Sequence, residues 1–358
     1  MKQHVPGALA WCAVLSLLLG ACGGTAASPS PPPSGPAAAS ASVQAAPSGG
    51  AKPSGAASAS PAASGLTNVK VGFSQLTGSE APLYLAADHK FFQKYGIKAN
   101  VIRVQGTAMP PAMQSGELQF GTIGGSELVS VNVGGLPMVM LVAAHNVPVF
   151  SLYGAKGVND VKDLAGKSIA VTSIGSATDA AAHLFMQHFG LDQQVKHQAG
   201  GTAQGILAVL ERGDAAAGII SPPQTVKAAQ EGMKELVNGP KLGVPFVQAG
   251  ITVTRAYLKS NPDTVKAFLH GYYDAWKFTS NPANEAAVIQ TIIKWTKTDQ
   301  PSAKATYDYL MPSWSRKGMP AVDLGGIQTI IDLNQNPKAK TVKPDSIVDT
   351  SLLAGIAS

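Results

Sequence analysis

Residues 69–104 read VKVGFSQLTGSEAPLYLAADHKFFQKYGIKANVIRV, and this stretch predicts a strand, a helix and a second strand. Val69 to Phe73 alternate as a strand, and Thr77-Gly78-Ser79-Glu80 then breaks the pattern with side chains that can cap a helix. We expect the helix to continue until Gly96, and a second strand to follow from Ile97 to Val104. Strands that alternate with helices in this way indicate an α/β fold with largely parallel sheets.

The same alternation continues along the chain. A short helix is predicted at Met109–Ser115, a third strand at Leu118–Ile123, and a further helix that Ser126 caps. A new set of signals begins with a strand at Ser168–Ser173, after which Ile174-Gly175-Ser176 opens another helix. The later segments predict a strand and several helices that return to the first set.

Short glycine motifs recur at a constant spacing. Gly78-Ser79 and Gly175-Ser176 are 97 residues apart, and Gly116 and Gly213, each at the end of a predicted helix, have the same separation. This recurrence predicts a structural repeat of two similar lobes.

We therefore divide the globular part into two α/β lobes. The first lobe is predicted to comprise residues 66–155 and 251–358, and the second residues 156–250. The chain would cross between the lobes twice, near Val149–Gly157 and near Gly250–Ala256, so these crossings would form the hinge. Ligand clefts favour such boundaries between lobes.

The N-terminus has the features of a secretory signal. Residues 1–22 combine an early positive charge with an apolar run from Ala8 to Leu19, which is too short to span a bilayer. The run ends in Leu19-Gly20-Ala21-Cys22, which resembles the bacterial lipoprotein processing box, where the cysteine is lipidated. The alternative is an ordinary secretory signal with a chance cysteine.

The segment that follows the signal cannot form a core. Residues 23–65 are almost all Ala, Ser, Pro or Gly, and Lys52 is their only charged residue. As a flexible coil this predicted tether would span on the order of 40 Å.

Composition excludes several classes of function. The chain has only two cysteines, Cys12 and Cys22, so cleavage would leave no disulfide, no thiolate metal site and no cysteine nucleophile. The net charge of +6 is spread along the sequence, whereas nucleic-acid binding needs a dense basic stripe. No His-x-x-x-His pair, Gly-x-Ser-x-Gly elbow or phosphate-binding loop is present. We predict no metal, no cofactor and no catalysis.

Several stretches in combination resemble the periplasmic binding proteins of the nitrate, sulfonate and taurine importers, a family whose relatives also bind thiamine-precursor pyrimidines. These stretches are Val71–Gln75, Phe91–Ile97, Gln114–Gly121, Val161–Val171 and Leu258–Val265. The resemblance implies a periplasmic-binding-protein-like Venus-flytrap fold, with two α/β lobes joined by two hinge crossings. It also implies a monomeric receptor on the outer face of the cell membrane or in the periplasm, which passes a small molecule to ABC permease subunits.

Ligands of open α/β sheets lie beyond the carboxyl ends of the strands, near helix N-termini. This rule selects four loops and one strand end as the predicted ligand site. The candidate residues are Gln75, Thr77, Gly78, Ser79, Thr122, Gly124, Gly125, Ser126, His145, Ser173, Gly175, Ser176, Thr178 and Ser221. Capping and turn formation is the alternative role of each.

The chemistry of the ligand stays open at this point. The candidate loops contain no Arg or Lys, which speaks against an oxyanion and leaves a neutral or zwitterionic organic ligand equally possible. Tyr84, Phe150, Tyr153 and Trp276 are candidates to cover a planar ligand, although core packing is favoured for most of them. Two other functions fit the same fold: a ligand-binding sensor, and an enzyme of cofactor biosynthesis.

Overall fold

A computed structural model of the chain describes residues 65–315 and 321–356. The predicted signal peptide (1–22), its Cys22 and all but the last residue of the predicted tether (23–65) lie outside the described residues. In the part of the chain that is described, no helix has both the length and the hydropathy needed to cross a membrane.

The first of two sheets combines the N-terminal strands with one strand from much later in the chain. Its members are β1 (Thr67–Phe73), β2 (Ile97–Arg103), β3 (Phe120–Gly124), β4 (Met138–His145) and β10 (Ala249–Thr254). Their spatial order is β2-β1-β3-β10-β4. β1 is parallel to β2 and β3, while β10 is antiparallel to both β3 and β4.

The second sheet has the same topology. It contains β5 (Ser151–Gly154), β6 (Ser168–Val171), β7 (Lys196–Ala199), β8 (Ala217–Ile220) and β9 (Lys234–Asn238), in the order β7-β6-β8-β5-β9. β6 is parallel to its two neighbours, and β5 is antiparallel to β8 and β9. The predicted repeat is therefore confirmed at the level of strand order, with the antiparallel strand of each sheet supplied by a chain that crosses from the other.

Helices cover both sheets. In chain order they are α1 (Ala81–Asp88), α2 (Met109–Gln114), α3 (Gly125–Val133), α4 (Ala177–His188), α5 (Ala203–Arg212), α6 (Gln224–Gln230), α7 (Arg255–Ser260), α8 (Pro262–Ser280), α9 (Glu285–Thr296), α10 (Gln300–Trp314) and α11 (Leu324–Leu333). The helices α8 and α9 pack on α1 over the first sheet, whereas α11 contacts both α3 and α4 and so bridges the two sheets.

The two crossings run side by side and are hydrogen-bonded. The chain passes between the sheets in residues 146–150 and 239–248. Val149 N–H donates to Gln248 Oε1 at 2.6 Å, and Gly239 N–H donates to the carbonyl of Phe150 at 2.9 Å. A Cβ at Gly239 would clash with the carbonyls that surround it, so this close approach of the crossings requires glycine.

The first crossing overlaps the predicted segment Val149–Gly157, whereas the second ends just before the predicted segment Gly250–Ala256. The predicted boundary at 155/156 left β5 in the first lobe, but β5 pairs with β8 and β9 in the second sheet. The boundary at 250/251 likewise divides β10, which pairs entirely in the first sheet. A strand's own residues show its alternation but not its partners, which explains the difference.

Two local predictions were also wrong. The helix expected to reach Gly96 ends at Asp88, because Lys90 adopts a left-handed φ of 58°, and a short 3-10 turn then runs to Gly96. α3 has Gly124 as its N-cap, not Ser126, since β3 leads directly into the helix.

Aromatic stacking fixes the long helix α8 on the first sheet. Phe268 is fully buried between Phe120, at 3.9 Å between ring centroids, and Phe92, at 4.5 Å. Stacked rings in this position join a strand, the turn after α1 and α8 in one core.

Replacing Phe268 with Ala should lower the free energy of unfolding by about 3–5 kcal/mol, because it removes a buried ring that three elements enclose. Urea denaturation followed by circular dichroism measures this loss. Phe189→Ala is the matched control, since Phe189 is 45% exposed and its truncation should change stability by at most about 0.5 kcal/mol. Equal losses in the two variants would contradict the assignment of Phe268 to the core.

Candidate functional site

A cavity of about 620 Å³ lies between the two sheets, at the carboxyl ends of their parallel strands. The residues after β1 and at the end of β3 form its wall on the first sheet, and those after β6 and β8 form its wall on the second. Ligands bind at this edge of open α/β sheets, and the volume lies within the range of about 300–1,000 Å³ usual for small-molecule pockets.

Ten of the predicted site residues line this cavity. They are Gln75, Thr77, Ser79, Thr122, Gly124, Ser173, Gly175, Ser176, Thr178 and Ser221. The structure thus brings together all four loops that the strand-end rule selected, and ligand binding by these residues stays a prediction.

The other four predicted residues lie behind the wall. Gly78 packs against Thr306, and Gly125 packs beneath Ile330. Ser126 is buried on α3, between Gly124 and Glu127, which line the cavity, but is not itself part of the wall. His145 is held between Ser313 Oγ, at 2.7 Å from its Nδ1, and the carbonyl of Ser79, at 3.4 Å from its Nε2. Hydrogen bonding therefore gives His145 a supporting position, not a place at the wall.

The N-terminus of α4 presents a dense group of hydroxyls to the cavity. Ser176 is its N-cap and accepts from Asp179 N–H. Thr172 Oγ1 lies 3.0 Å from Ser176 Oγ and 2.8 Å from Thr178 Oγ1, so the three hydroxyls hold one another in place. Gly175 has a φ of +83°, a conformation that favours glycine, and this turn aims the loop at the cavity.

Glu127 reaches this helix from the opposite wall. It lies in the first turn of α3, and its Oε1 accepts the N–H of Ala177, the first residue of α4, at 3.3 Å. Its Oε2 is buried and has no hydrogen-bond partner within the described residues. Burial raises the pKa of Glu127 to about 7, and the backbone hydrogen bonds lower it only in part. A carboxyl from one sheet thus meets the positive end of a helix from the other.

Glu80 is a second acid in the wall. Burial raises the pKa of Glu80 to about 7 as well, and the nearby Thr122 side chain lowers it only in part. Near neutral pH each acid is therefore present both as a protonated donor and as a carboxylate acceptor. Neither acid was selected from the sequence: Glu80 was assigned to the segment that caps the first helix, and Glu127 comes just after Ser126, the last residue selected from its loop.

Arg103 brings a positive charge to the rim of the cavity. It ends β2, is exposed, and donates from Nε to the carbonyl of Ser74 at 3.3 Å. The candidate loops contained no cation, but β2 was not among the strands whose ends were considered. Among the described residues that line the cavity, Arg103 is the sole cation.

One of the four aromatic candidates lies in the wall. Phe150 lines the cavity at the first crossing. Tyr84 instead stacks on Trp295 with ring centroids 4.4 Å apart, and Tyr153 and Trp276 are buried outside the wall. Gln75 Oε1, which faces the same space, is buried without a partner in the described part of the chain. Unsatisfied polar atoms at a cavity wall indicate a ligand that supplies their hydrogen bonds.

Comparison with known proteins gives one family and a common fold. The family model described as NMT1/THI5 like matches residues 78–286. No curated protein matches the chain.

Solved structures resemble the chain over most of its length. A ligand-binding component of an ABC-type import system from Staphylococcus aureus, with zinc bound, has a TM-score of 0.68 at 14% identity, covering 82% of this chain and 99% of that one. The nitrate-binding protein from Synechocystis PCC 6803 gives 0.66 at 14% identity, over 82% and 88%. A putative periplasmic sulfonate-binding protein from Methylobacillus flagellatus KT gives 0.63 at 17%, over 81% and 94%. At these identities the likeness is one of fold, and it confirms the predicted periplasmic-binding-protein-like architecture.

Replacing Glu80 or Glu127 with Gln should reduce the dependence of stability on pH. Burial raises the pKa of each from 4.5 to about 7, so the folded protein holds these protons more tightly than the unfolded chain. The resulting stabilisation is fully present below pH about 4.5 and is lost as pH rises through about 7. We therefore expect the free energy of unfolding to fall less between pH about 5 and about 8 in either variant than in the wild type.

Urea denaturation at a series of pH values measures this difference. Glu117→Gln is the control, because Glu117 is exposed outside the cavity, and its profile should follow that of the wild type. Superimposable profiles for all four proteins would show that neither acid is buried in the way described.

Proposed function

The chain belongs to the NMT1/THI5-like family, and we propose that it is the solute-binding receptor of an ABC importer. The observation that carries this proposal is the cavity enclosed between two sheets of identical strand order, which the chain joins by two adjacent crossings. Two lobes connected in this way can close on a small molecule by a hinge motion.

Direct contacts across the cavity support the proposal that the two lobes close on a ligand. Gly78 N–H donates to the carbonyl of Pro222 at 3.3 Å, and Ala177 N–H donates to Glu127 at 3.3 Å. Each bond joins a residue of the first lobe to one of the second. A ligand that touches both walls would add to these contacts only in the closed form, and so would shift the equilibrium toward closure.

The charges of the wall favour an uncharged organic ligand over an oxyanion. Two acids line the cavity against one exposed Arg, and the N-terminus of α4 is already met by Glu127. An oxyanion bound there would be repelled by the carboxylate of Glu127, or would have to displace it. A neutral molecule with both donors and acceptors, such as a pyrimidine-like heterocycle, would pair with the two acids, with Gln75 and with the hydroxyls near Ser176. Phe150 offers such a ring an apolar surface.

We propose a location outside the cytoplasm for this receptor. The apolar signal and the lipoprotein-like box support processing and lipid attachment at Cys22. The similar proteins from Staphylococcus aureus and Methylobacillus flagellatus KT are described as parts of ABC transport systems. We accordingly propose ABC permease subunits as the partner, with a monomeric receptor that transforms nothing.

A ligand panel tests the receptor and its ligand class together. The purified protein is heated with taurine, alkanesulfonates, nitrate, aromatic carboxylates, pyrimidines and flavins in separate samples. A compound from the uncharged heterocycles should raise the melting temperature by several degrees at saturation, because it binds only the folded form. Mass spectrometry of the bound compound should show it unchanged.

The possible outcomes separate the parts of this proposal. Stabilisation by oxyanions alone would overturn the ligand class and leave the receptor. Chemical conversion of the bound compound would overturn the receptor in favour of an enzyme. Failure of every compound, together with no small molecule retained from a cell extract, would contradict a solute-binding role.

A side chain introduced at Gly124 should hold the two lobes apart. A Cβ at this position would clash with the carboxylate of Glu127 and lie 3.0 Å from Cβ of Ala177 on the other lobe. Gly124→Thr keeps a side chain that suits an N-cap, so folding should be preserved. If the closed fraction falls to about a tenth, the apparent Kd for the ligand rises about tenfold.

Calorimetric titration measures the apparent Kd of the Gly124→Thr variant, and the radius of gyration from X-ray scattering shows whether its lobes are held apart. Gly106→Thr is the matched control, because Gly106 also lines the cavity but its Cβ would meet only Ser74, at 3.9 Å. A Gly124→Thr variant with wild-type affinity and wild-type radius would show that closure does not need this contact.

A further inference from the structure

Three potential metal ligands meet in the second lobe, away from the cavity wall. Asp179 and His183 lie on successive turns of α4, and His197 projects from the neighbouring strand β7. Each residue offers one ligand atom, and these three atoms lie within 4.8 Å of one another. The sequence search looked for pairs of histidines on one helix, so it missed an aspartate and a histidine four residues apart whose third partner comes from a strand.

The hydrogen bonds of this cluster orient both imidazoles. His197 Nδ1 lies 2.6 Å from Asp179 Oδ1, and His183 Nδ1 lies 2.7 Å from Asp192 Oδ1. The two rings are 4.3 Å apart between centroids. Because Asp192 holds one nitrogen of His183, this histidine presents its other nitrogen in a fixed direction, as second-shell carboxylates do for metal-binding histidines.

His197 has an unused nitrogen inside the protein. Its side chain is only 7% exposed, and its Nε2 has no hydrogen-bond partner within residues 65–315 and 321–356. A buried polar atom without a partner costs free energy unless something pairs with it. A bound cation would give this ring the partner that the described side chains do not supply.

The charge of the cluster suits a cation. Asp179 contributes a carboxyl group, which as a carboxylate supplies the negative charge that attracts a cation. His183 is 16% exposed at its side chain, which leaves a route from solvent to the cluster.

We propose that Asp179, His183 and His197 form a binding site for a divalent transition-metal ion, with one ligand atom from each residue. Two imidazoles and one carboxylate suit Zn²⁺, Co²⁺ or Ni²⁺, whereas Mg²⁺ and Ca²⁺ require oxygen ligands. Three protein ligands leave a coordination position for water. Binding by all three residues would exchange the hydrogen bond between Asp179 and His197 for bonds to the metal of about 2.0–2.2 Å.

The position of the site gives it a structural role beside the ligand cavity. Asp179 Oδ2 accepts the N–H of Gly175 at 2.8 Å, and Gly175 lies in the cavity wall. A metal that fixes Asp179 would therefore fix the turn before α4. The three residues form none of the hydrogen bonds described between the two lobes. The metal site can therefore exist whether or not the proposed receptor function is correct.

Metal binding is tested on the purified protein after chelator treatment and removal of the chelator. Isothermal titration should show one Zn²⁺ per chain and no binding of Mg²⁺. His183→Gln and His197→Gln should each weaken Zn²⁺ binding about tenfold or more, since each removes a ligand. His188→Gln is the matched control, because His188 lies on the same helix but is exposed, and its affinity should stay at the wild-type value.

Two further measurements keep the result interpretable. Circular dichroism in the presence of chelator reports whether each variant folds. If His197→Gln does not fold, the visible absorption of Co²⁺ bound to the wild-type protein, and its loss on addition of Zn²⁺, tests the same site. The proposal is overturned if the wild type binds neither Zn²⁺ nor Co²⁺, or if the folded His183→Gln variant binds Zn²⁺ as tightly as His188→Gln.

Discussion

The two crossings between the sheets constrain everything else in this protein. They lie side by side, bonded through Val149 N–H to Gln248 and through Gly239 N–H to Phe150. Because each crossing supplies the antiparallel strand of one sheet, the two sheets acquire the same strand order and turn the carboxyl ends of their parallel strands toward a shared space. The cavity is a consequence of this connection, and so is the possibility of a hinge, since these paired segments lie between the two sheets.

The chemistry of the cavity follows from which groups this arrangement brings face to face. Glu127 from one lobe meets the N-terminus of α4 from the other, and Glu80 lines the same cavity. Burial raises the pKa of both acids to about 7, so the wall can donate and accept hydrogen bonds at neutral pH. A site of this kind distinguishes ligands by their pattern of donors and acceptors more than by their charge.

The second lobe connects its part of the wall to a separate polar cluster. Ser176 and Gly175 face the cavity, while Asp179, one turn further along α4, pairs with His197 behind it. The hydrogen bond from Gly175 N–H to Asp179 links the two regions. One helix N-terminus thus organises both the hydroxyls that face the cavity and the cluster that supports them.

The sequence by itself determined the alternation of strands and helices, the repeated lobe and the loops at the strand ends, because these depend on local patterns of apolar residues, glycines and caps. It could place Ser176 at the start of α4, and ten of its fourteen candidates lie at the cavity wall. Only the tertiary structure decided that His145 supports the wall from behind and that Glu127 reaches Ala177. It also decided that β5 belongs to the second sheet. These facts depend on residues far apart in the chain, whose proximity and burial arise from packing and leave no trace in the local pattern.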